Sequence, residues 1–254
     1  MRAVLGGFRR PPWWAILLTA AAAVLFVRLG VWQLHRAAYK DDLLRRYAAA
    51  EIASPQGFAA VAARPPPDAY PRVQVQGRYL ADRVYLLDNP KHDDRGGVEV
   101  YVPLRVPGTG HRLLLADLGF LPGNGTDQTP QLPPLPEGVQ DLRGLYVPPP
   151  GRGFEMGGNA LARQTAWPKK TIYLDLPQIA ADLGAPLYPR VLSLDADPAS
   201  IYVRVHTLDF GDMPPARHRA YAFQWFSFAI AVVVILLVLN RRRGSRKPRP
   251  TDSR

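Results

Sequence analysis

The residues best suited to chemistry in this 254-residue chain stand together in His218-Arg219-Ala220-Tyr221-Ala222-Phe223-Gln224-Trp225-Phe226-Ser227-Phe228-Ala229, where one imidazole opens an apolar run. His218, Ala222 and Trp225 follow the i, i+4, i+7 rule and share a helical face, with Tyr221 beside them and Gln224 around the edge. A flat macrocycle could lie against such a stripe. Imidazole is the usual axial ligand of haem iron, aromatic rings pack on a porphyrin, and Arg28, Arg36, Arg217 and Arg219 can meet propionates. The same residues also suit an ordinary interfacial belt, because Trp and Tyr collect at membrane surfaces and Arg or His flanks many spans.

No other constellation competes. Lys91-His92-Asp93-Asp94 sets a His beside two carboxylates, but adjacent residues on a turn point in different directions, so it reads as a solvated charge cluster. His111 and His206 lie in strand patterns as surface or half-buried side chains. No H-E-x-x-H, G-x-S-x-G or phosphate-binding glycine loop occurs, and no enzyme activity is expected. The absence of cysteine removes thiol oxidoreductases, Cys-pair copper carriers and Cys-attached haem.

The elements that must position His218 are membrane helices. Residues 221–239 carry no charge, and an apolar run of about 19 residues crosses most of a 30 Å hydrocarbon core. Residues 13–27 are likewise uncharged and, after Arg28, the apolar pattern resumes to Leu34. An Arg near a helix end can snorkel to the headgroups. A cleaved signal peptide would imitate this start, but apolar sequence continues well past Ala20-Ala21-Ala22.

The expected division is a cytoplasmic N-terminus at 1–12, a first span at 13–34, an exported domain at 35–219, a second span at 220–240 and a basic cytoplasmic tail at 241–254. Arg2, Arg9 and Arg10 precede the first span and Arg241, Arg242, Arg243, Arg246, Lys247 and Arg249 follow the second, which sets both termini inside by the positive-inside rule. The net charge of +11 sits mostly in these tails, since basic and acidic residues nearly cancel from 35 to 219. It is an orientation signal, and no nucleic-acid-binding motif accompanies it. This topology brings Trp32, Gln33, His35 and Arg36 to the same side of the bilayer as His218, Tyr221, Gln224 and Trp225.

Between the spans the pattern is mainly β. Period-two alternation at 72–79, 98–106 and 201–206 predicts strands buried on one face, with further strands at 84–87, 112–118, 142–147, 171–174 and 190–194. Pro and Gly clusters at 107–110 and 121–125 predict turns between antiparallel neighbours. Helical composition marks 37–50, 56–63 and 177–183, the last with Pro177 in its first turn and Gly184 as C-cap; the proline-rich 129–138 predicts a loop. The fold class is therefore an α+β membrane protein, two transmembrane helices flanking an exported antiparallel β-rich domain with a few short helices.

Three blocks of the chain resemble the surfeit locus protein 1 family of cytochrome c oxidase assembly factors. Residues 29–40, Leu29-Gly30-Val31-Trp32-Gln33-Leu34-His35-Arg36-Ala37-Ala38-Tyr39-Lys40, match the family's L-G-x-W-Q-x-x-R-x-x-x-K at every specified position. Arg72-Val73-Gln74-Val75-Gln76-Gly77-Arg78-Tyr79 resembles its strand ending in G-x-Y, and 97–104 the strand that follows. Residues 213–226 are similar to H-x-x-Y-A-x-Q-W-F and are the most specific block. The middle departs, because Ala116-Asp117-Leu118-Gly119-Phe120-Leu121-Pro122 stands where family members usually have V-N-R-G-W-V-P, and only the Gly and Pro survive in register.

The resemblance implies help in building a haem-copper oxidase in a bacterial inner membrane, by receiving haem a from its synthase and placing it in the catalytic subunit. It implies His218 as the ligand of the haem iron and Trp225 as its aromatic partner, with Tyr221, Gln224, Trp32, Gln33 and Arg36 around them. The alternative from another class is a membrane-anchored interaction scaffold that stabilises an oxidase intermediate without touching haem. A sensing receptor fits less well, since 241–254 is too short for a signalling domain.

Overall fold

The computed structural model describes residues 10–67, 69–92, 95–123, 130–150, 161–204 and 213–241. In chain order these form α1 (Trp13–Glu51), β1 (Gln56–Gly57), β2 (Arg72–Tyr79), β3 (Tyr85–His92), β4 (Arg95–Arg105), β5 (Leu113–Pro122), β6 (Gln140–Val147), β7 (Lys169–Thr171), α2 (Leu176–Leu183), β8 (Leu187–Leu194) and α3 (Pro215–Leu239). Two long apolar helices flank a β-rich domain, as the sequence predicts. The chain divides into a helical unit of residues 1–44 with 209–254, and a β unit of residues 45–208.

Both long helices can cross a membrane by length and composition, and of their most apolar stretches only 6% and 11% is buried within the protein. Helices apolar all round either fill a core or face lipid, and so little burial leaves lipid. α1 starts where Pro12 takes the amides of Ala15 and Ile16 on its carbonyl. It does not stop at residue 34, where the first span was expected to end. No Gly or Pro interrupts 34–51, so the predicted helix at 37–50 is the same helix continued, for a total of about 58 Å. Ser54-Pro55 lies just beyond its end, and a residue before proline disfavours helix. α3 begins with Pro214 as cap and Pro215 in the first turn, five residues before the expected boundary at 220, and this puts His218 inside the helix.

In the β unit the strand pairings return on themselves. β2 pairs with β6, β6 with β8, β8 with β5, β5 with β4, and β4 again with β2, closing a five-stranded barrel with β3, β7 and β1 outside the ring. Alternation places Val73, Val75, Val98, Val100, Val102, Leu104, Leu114, Ala116, Leu118, Tyr146, Leu192 and Leu194 in one core. The opposite face of the same strands supplies Tyr85, Tyr101, Leu115 and Val191, and α2 covers them with Leu176 and Ile179. β4 therefore reads as one-sided in sequence yet is buried on both faces from Tyr101 to Leu104. α2 starts one residue before the predicted 177, with Pro177 in its first turn and Gly184 as the predicted left-handed C-cap, and Asp175 caps its start by accepting from the Gln178 amide. Lys169 pairs with Asp182 at 2.6 Å and Tyr85 Oη donates to the same carboxylate at 2.8 Å, which ties this helix to the strands beneath.

The expectation of antiparallel neighbours holds for β2–β4, β2–β6, β3–β4, β4–β5 and β6–β8, but β1–β2, β3–β7 and β5–β8 are parallel. The parallel partners are joined through long connections that local periodicity does not read. The helix expected at 56–63 is only a 3-10 turn, Phe58–Ala60, after β1. Phe58 is buried edge-on against Tyr146 and Tyr188 at 5.3 and 5.0 Å, and Pro65-Pro66-Pro67 follows too soon for a longer helix. The strand expected at 201–206 is a single bridge between Val203 and Phe120, and 205–206 lie outside the described residues. So do Asp93, Asp94 and part of the turn at 121–125, while His111 is exposed.

Barrel closure depends on a residue without a side chain. Where β2 meets β4, a Cβ on Gly77 would lie 2.6 Å from Leu104 Cγ, inside the core. Gly77→Ala is expected to cost about 1–3 kcal/mol by overpacking, read as a lowered denaturant midpoint. Gly57→Ala, which has nothing within 4 Å of its Cβ, should stay within about 0.5 kcal/mol of wild type.

Beside the barrel core, Asp117 accepts from the Gly119 amide at 3.0 Å and from Ser193 Oγ at 3.3 Å, and shares a hydrogen bond with Glu99. Burial first, and then the Asp117 carboxylate, push the Glu99 carboxyl up to about 9. The native state thus holds a proton that the unfolded chain releases above about 4.3, so the contribution of Glu99 to stability is fully present below that pH and falls as pH rises toward 9. Glu99→Gln is expected to flatten that fall between about pH 6 and about pH 8, measured as thermal midpoints. An unchanged slope would place the proton elsewhere.

Candidate functional site

Within the helical unit, α1 and α3 lie antiparallel along one seam. Phe26, Gly30, Gln33, Ala37 and Lys40 on α1, and Pro215, His218, Ala222, Trp225 and Ala229 on α3, repeat at alternating spacings of three and four, the heptad pattern of paired helices. The contacts run in opposite senses along the two chains. Lys40 Nζ donates to the Met213 carbonyl, Gln33 meets His218, and Phe26 stacks on Trp225 at 5.8 Å and 23°. Gly30 lets the helices approach, since a Cβ there would sit 2.7 Å from the Phe226 ring. Asp41 and Arg219 form an ion pair at 2.7 Å along one side of the seam.

His218 is 4% exposed and Gln33 8%. The imidazole Nδ1 lies 2.6 Å from Gln33 Oε1. Its Nε2 is buried without a hydrogen-bond partner among the described residues. A buried polar atom left without a partner is a standing cost, and such atoms mark sites that a ligand or ion completes. No group of three or more His, Asp or Glu among the described residues could hold a metal ion alone. One imidazole is nevertheless the protein donor that a haem iron needs, because the macrocycle supplies its own four nitrogens. The residues present therefore fit that group.

The other expected site residues divide into two sets. Trp225 shares the seam with His218 as the spacing predicts, half-buried between Phe26 and Phe228. Trp32, Arg36, Tyr221 and Gln224 are exposed, and the Arg36 guanidinium lies over the Tyr39 ring at 5.3 Å. Their heptad positions are still informative. In an antiparallel pair, positions flanking the seam on matching sides face each other, and Asp41 with Arg219 marks one such side. Trp32, Arg36, Tyr221 and Gln224 all fall on the opposite side, next to His218. Of the arginines considered for propionates, Arg219 is engaged by Asp41.

Sequence reasoning placed Gln33 near the site without its partner, and treated Gly30 and Lys40 only as letters of a motif. The three-four spacing of residues 26, 30, 33, 37 and 40 was the available signal that they share a face.

A family model described as the SURF1 family matches residues 20–230, which takes in the paired helices and the β unit. No curated protein matches the chain. The matched span is most of the chain and includes both membrane motifs and the seam they build. This membrane protein belongs to the SURF1 family, which is associated with cytochrome oxidase assembly.

Proposed function

We propose that this chain handles haem a during oxidase assembly, receiving it from haem a synthase and helping to place it in the catalytic subunit. The observation that carries the reading is the His218 imidazole, buried at the start of a membrane helix with its Nε2 unpartnered. A hydrophobic cofactor made in the bilayer needs a carrier site near the membrane, and a buried imidazole in the first turn of α3 supports that reading. His218 would hold the iron of the cargo through Nε2, and a cation such as Arg36 would meet its carboxylates. Trp225 would close the seam side, while Trp32, Tyr221 and Gln224 offer flat and hydrogen-bonding surface beside it. No covalent step is needed. The basic residues before α1 and after α3 support a bacterial inner-membrane protein with both termini cytoplasmic and the β unit periplasmic.

A second reading is favoured by Gln224, whose exposed amide sits in an apolar helix where lipid offers no hydrogen bond. That suits a scaffold whose α3 docks on a helix of the oxidase subunit without any haem.

The absorption spectrum of the detergent-purified protein, co-expressed with haem a synthase, decides between them. Wild type is expected to carry near-stoichiometric haem, His218→Ala to lose at least about tenfold in occupancy with helix content intact by circular dichroism, and Trp225→Ala to fall between. Haem-free wild type, or equal haem in wild type and His218→Ala, overturns haem handling and leaves the scaffold.

A further inference from the structure

We propose that Gln33 is a positioning residue that sets the tautomer of His218: its Oε1 accepts the Nδ1 proton and so leaves the Nε2 lone pair as the free donor atom. The first part stands on the geometry of the helix pair, and the consequence for cargo rests on His218 being the ligand as proposed above.

Three observations carry it. The Nδ1 to Oε1 separation of 2.6 Å is that of a strong hydrogen bond between two side chains 185 residues apart in sequence. Both side chains are more than nine-tenths buried, so water is not a ready substitute for either. Nε2 has no partner among the described residues. The opposite tautomer would turn the Gln33 amide to donate to Nδ1 and would bury an Nε2–H with no acceptor. An orphaned buried N–H is rarer and costlier than an orphaned acceptor, which selects the first arrangement. An imidazolium would bury a charge against a neutral amide, with no carboxylate hydrogen-bonded to it.

The tautomer matters because free histidine prefers its proton on Nε2, the nitrogen that would ligate. A ligating His commonly donates its other N–H to a fixed acceptor, which sets ring orientation and raises basicity. Gln33 is that acceptor here, supplied by the other helix. Leu29, Trp32 and Arg36 share its motif but lie off the seam.

Nitrogen-15 NMR of the full-length, histidine-labelled apoprotein in nanodiscs tests the proposal directly, with His218→Ala assigning the signal. Wild type is expected to show the Nδ1–H form of His218. Gln33→Glu should keep it, since a carboxylate accepts the same proton, and Gln33→Leu should move the population to Nε2–H. An Nε2–H form in wild type, or an unmoved Nδ1–H form in Gln33→Leu, overturns the assignment. In the haem-loaded protein, Gln33→Leu should weaken binding by about 10–100-fold, and Gln33→Glu should restore binding and lower the midpoint potential. Unchanged affinity and potential in both variants would overturn the positioning role. A wild type that takes no haem yet shows the Nδ1–H form would end the haem reading while leaving the tautomer assignment standing.

Discussion

A hydrogen bond inside a pair of membrane helices cannot be exchanged for one to water, and the pairing of Gln33 with His218 is of that kind. Buried side by side, these two polar side chains depend on each other, so this contact fixes which faces of α1 and α3 meet and in what register. The neighbouring contacts agree with that register. Gly30 receives the Phe226 ring, Lys40 takes the Met213 carbonyl and Asp41 meets Arg219. A slip of one helical turn, about 5.4 Å, would break all of them at once. The site is thus a property of the helix pair, and neither helix builds it alone.

The β unit solves a separate problem. Exposed strand edges are a liability, and closing β4 onto β2 removes them from the ring at the cost of one crowded point, Gly77. β4 and β5 bury both sides over much of their length, and they hold the Glu99 and Asp117 carboxylates in a poorly solvated place. The Asp117 oxygens are used by Gly119, Ser193 and Glu99, which ties the pair into a local network. A clamp of a different sort holds the proline segment, where the Arg190 guanidinium donates to the carbonyls of Pro66 and Ala69, both at 2.6 Å.

A buried imidazole nitrogen without a partner among the described residues and a family associated with oxidase assembly bear on function from different directions. The first is local chemistry, one imidazole nitrogen in a dry seam. The second is a match along most of the chain.

Amino-acid order alone determined the two spans, most strands, the C-cap of α2 and the helical face shared by His218, Ala222 and Trp225. Each of these follows from side-chain periods of 3.6 or 2 and from capping residues that act within a few positions. What only the tertiary structure decided are the continuity of α1 through residue 51, the parallel strands, the closed ring and the partner of His218. Trp32, Arg36, Tyr221 and Gln224 were legible as neighbours of the site but not as one exposed side of the seam. Gln33 was legible as a polar residue in a span, yet its meaning lies in a side chain 185 positions away. Pairings across such distances are set by loop closure and by burial on both faces of an element, and neither leaves a repeat in the local sequence.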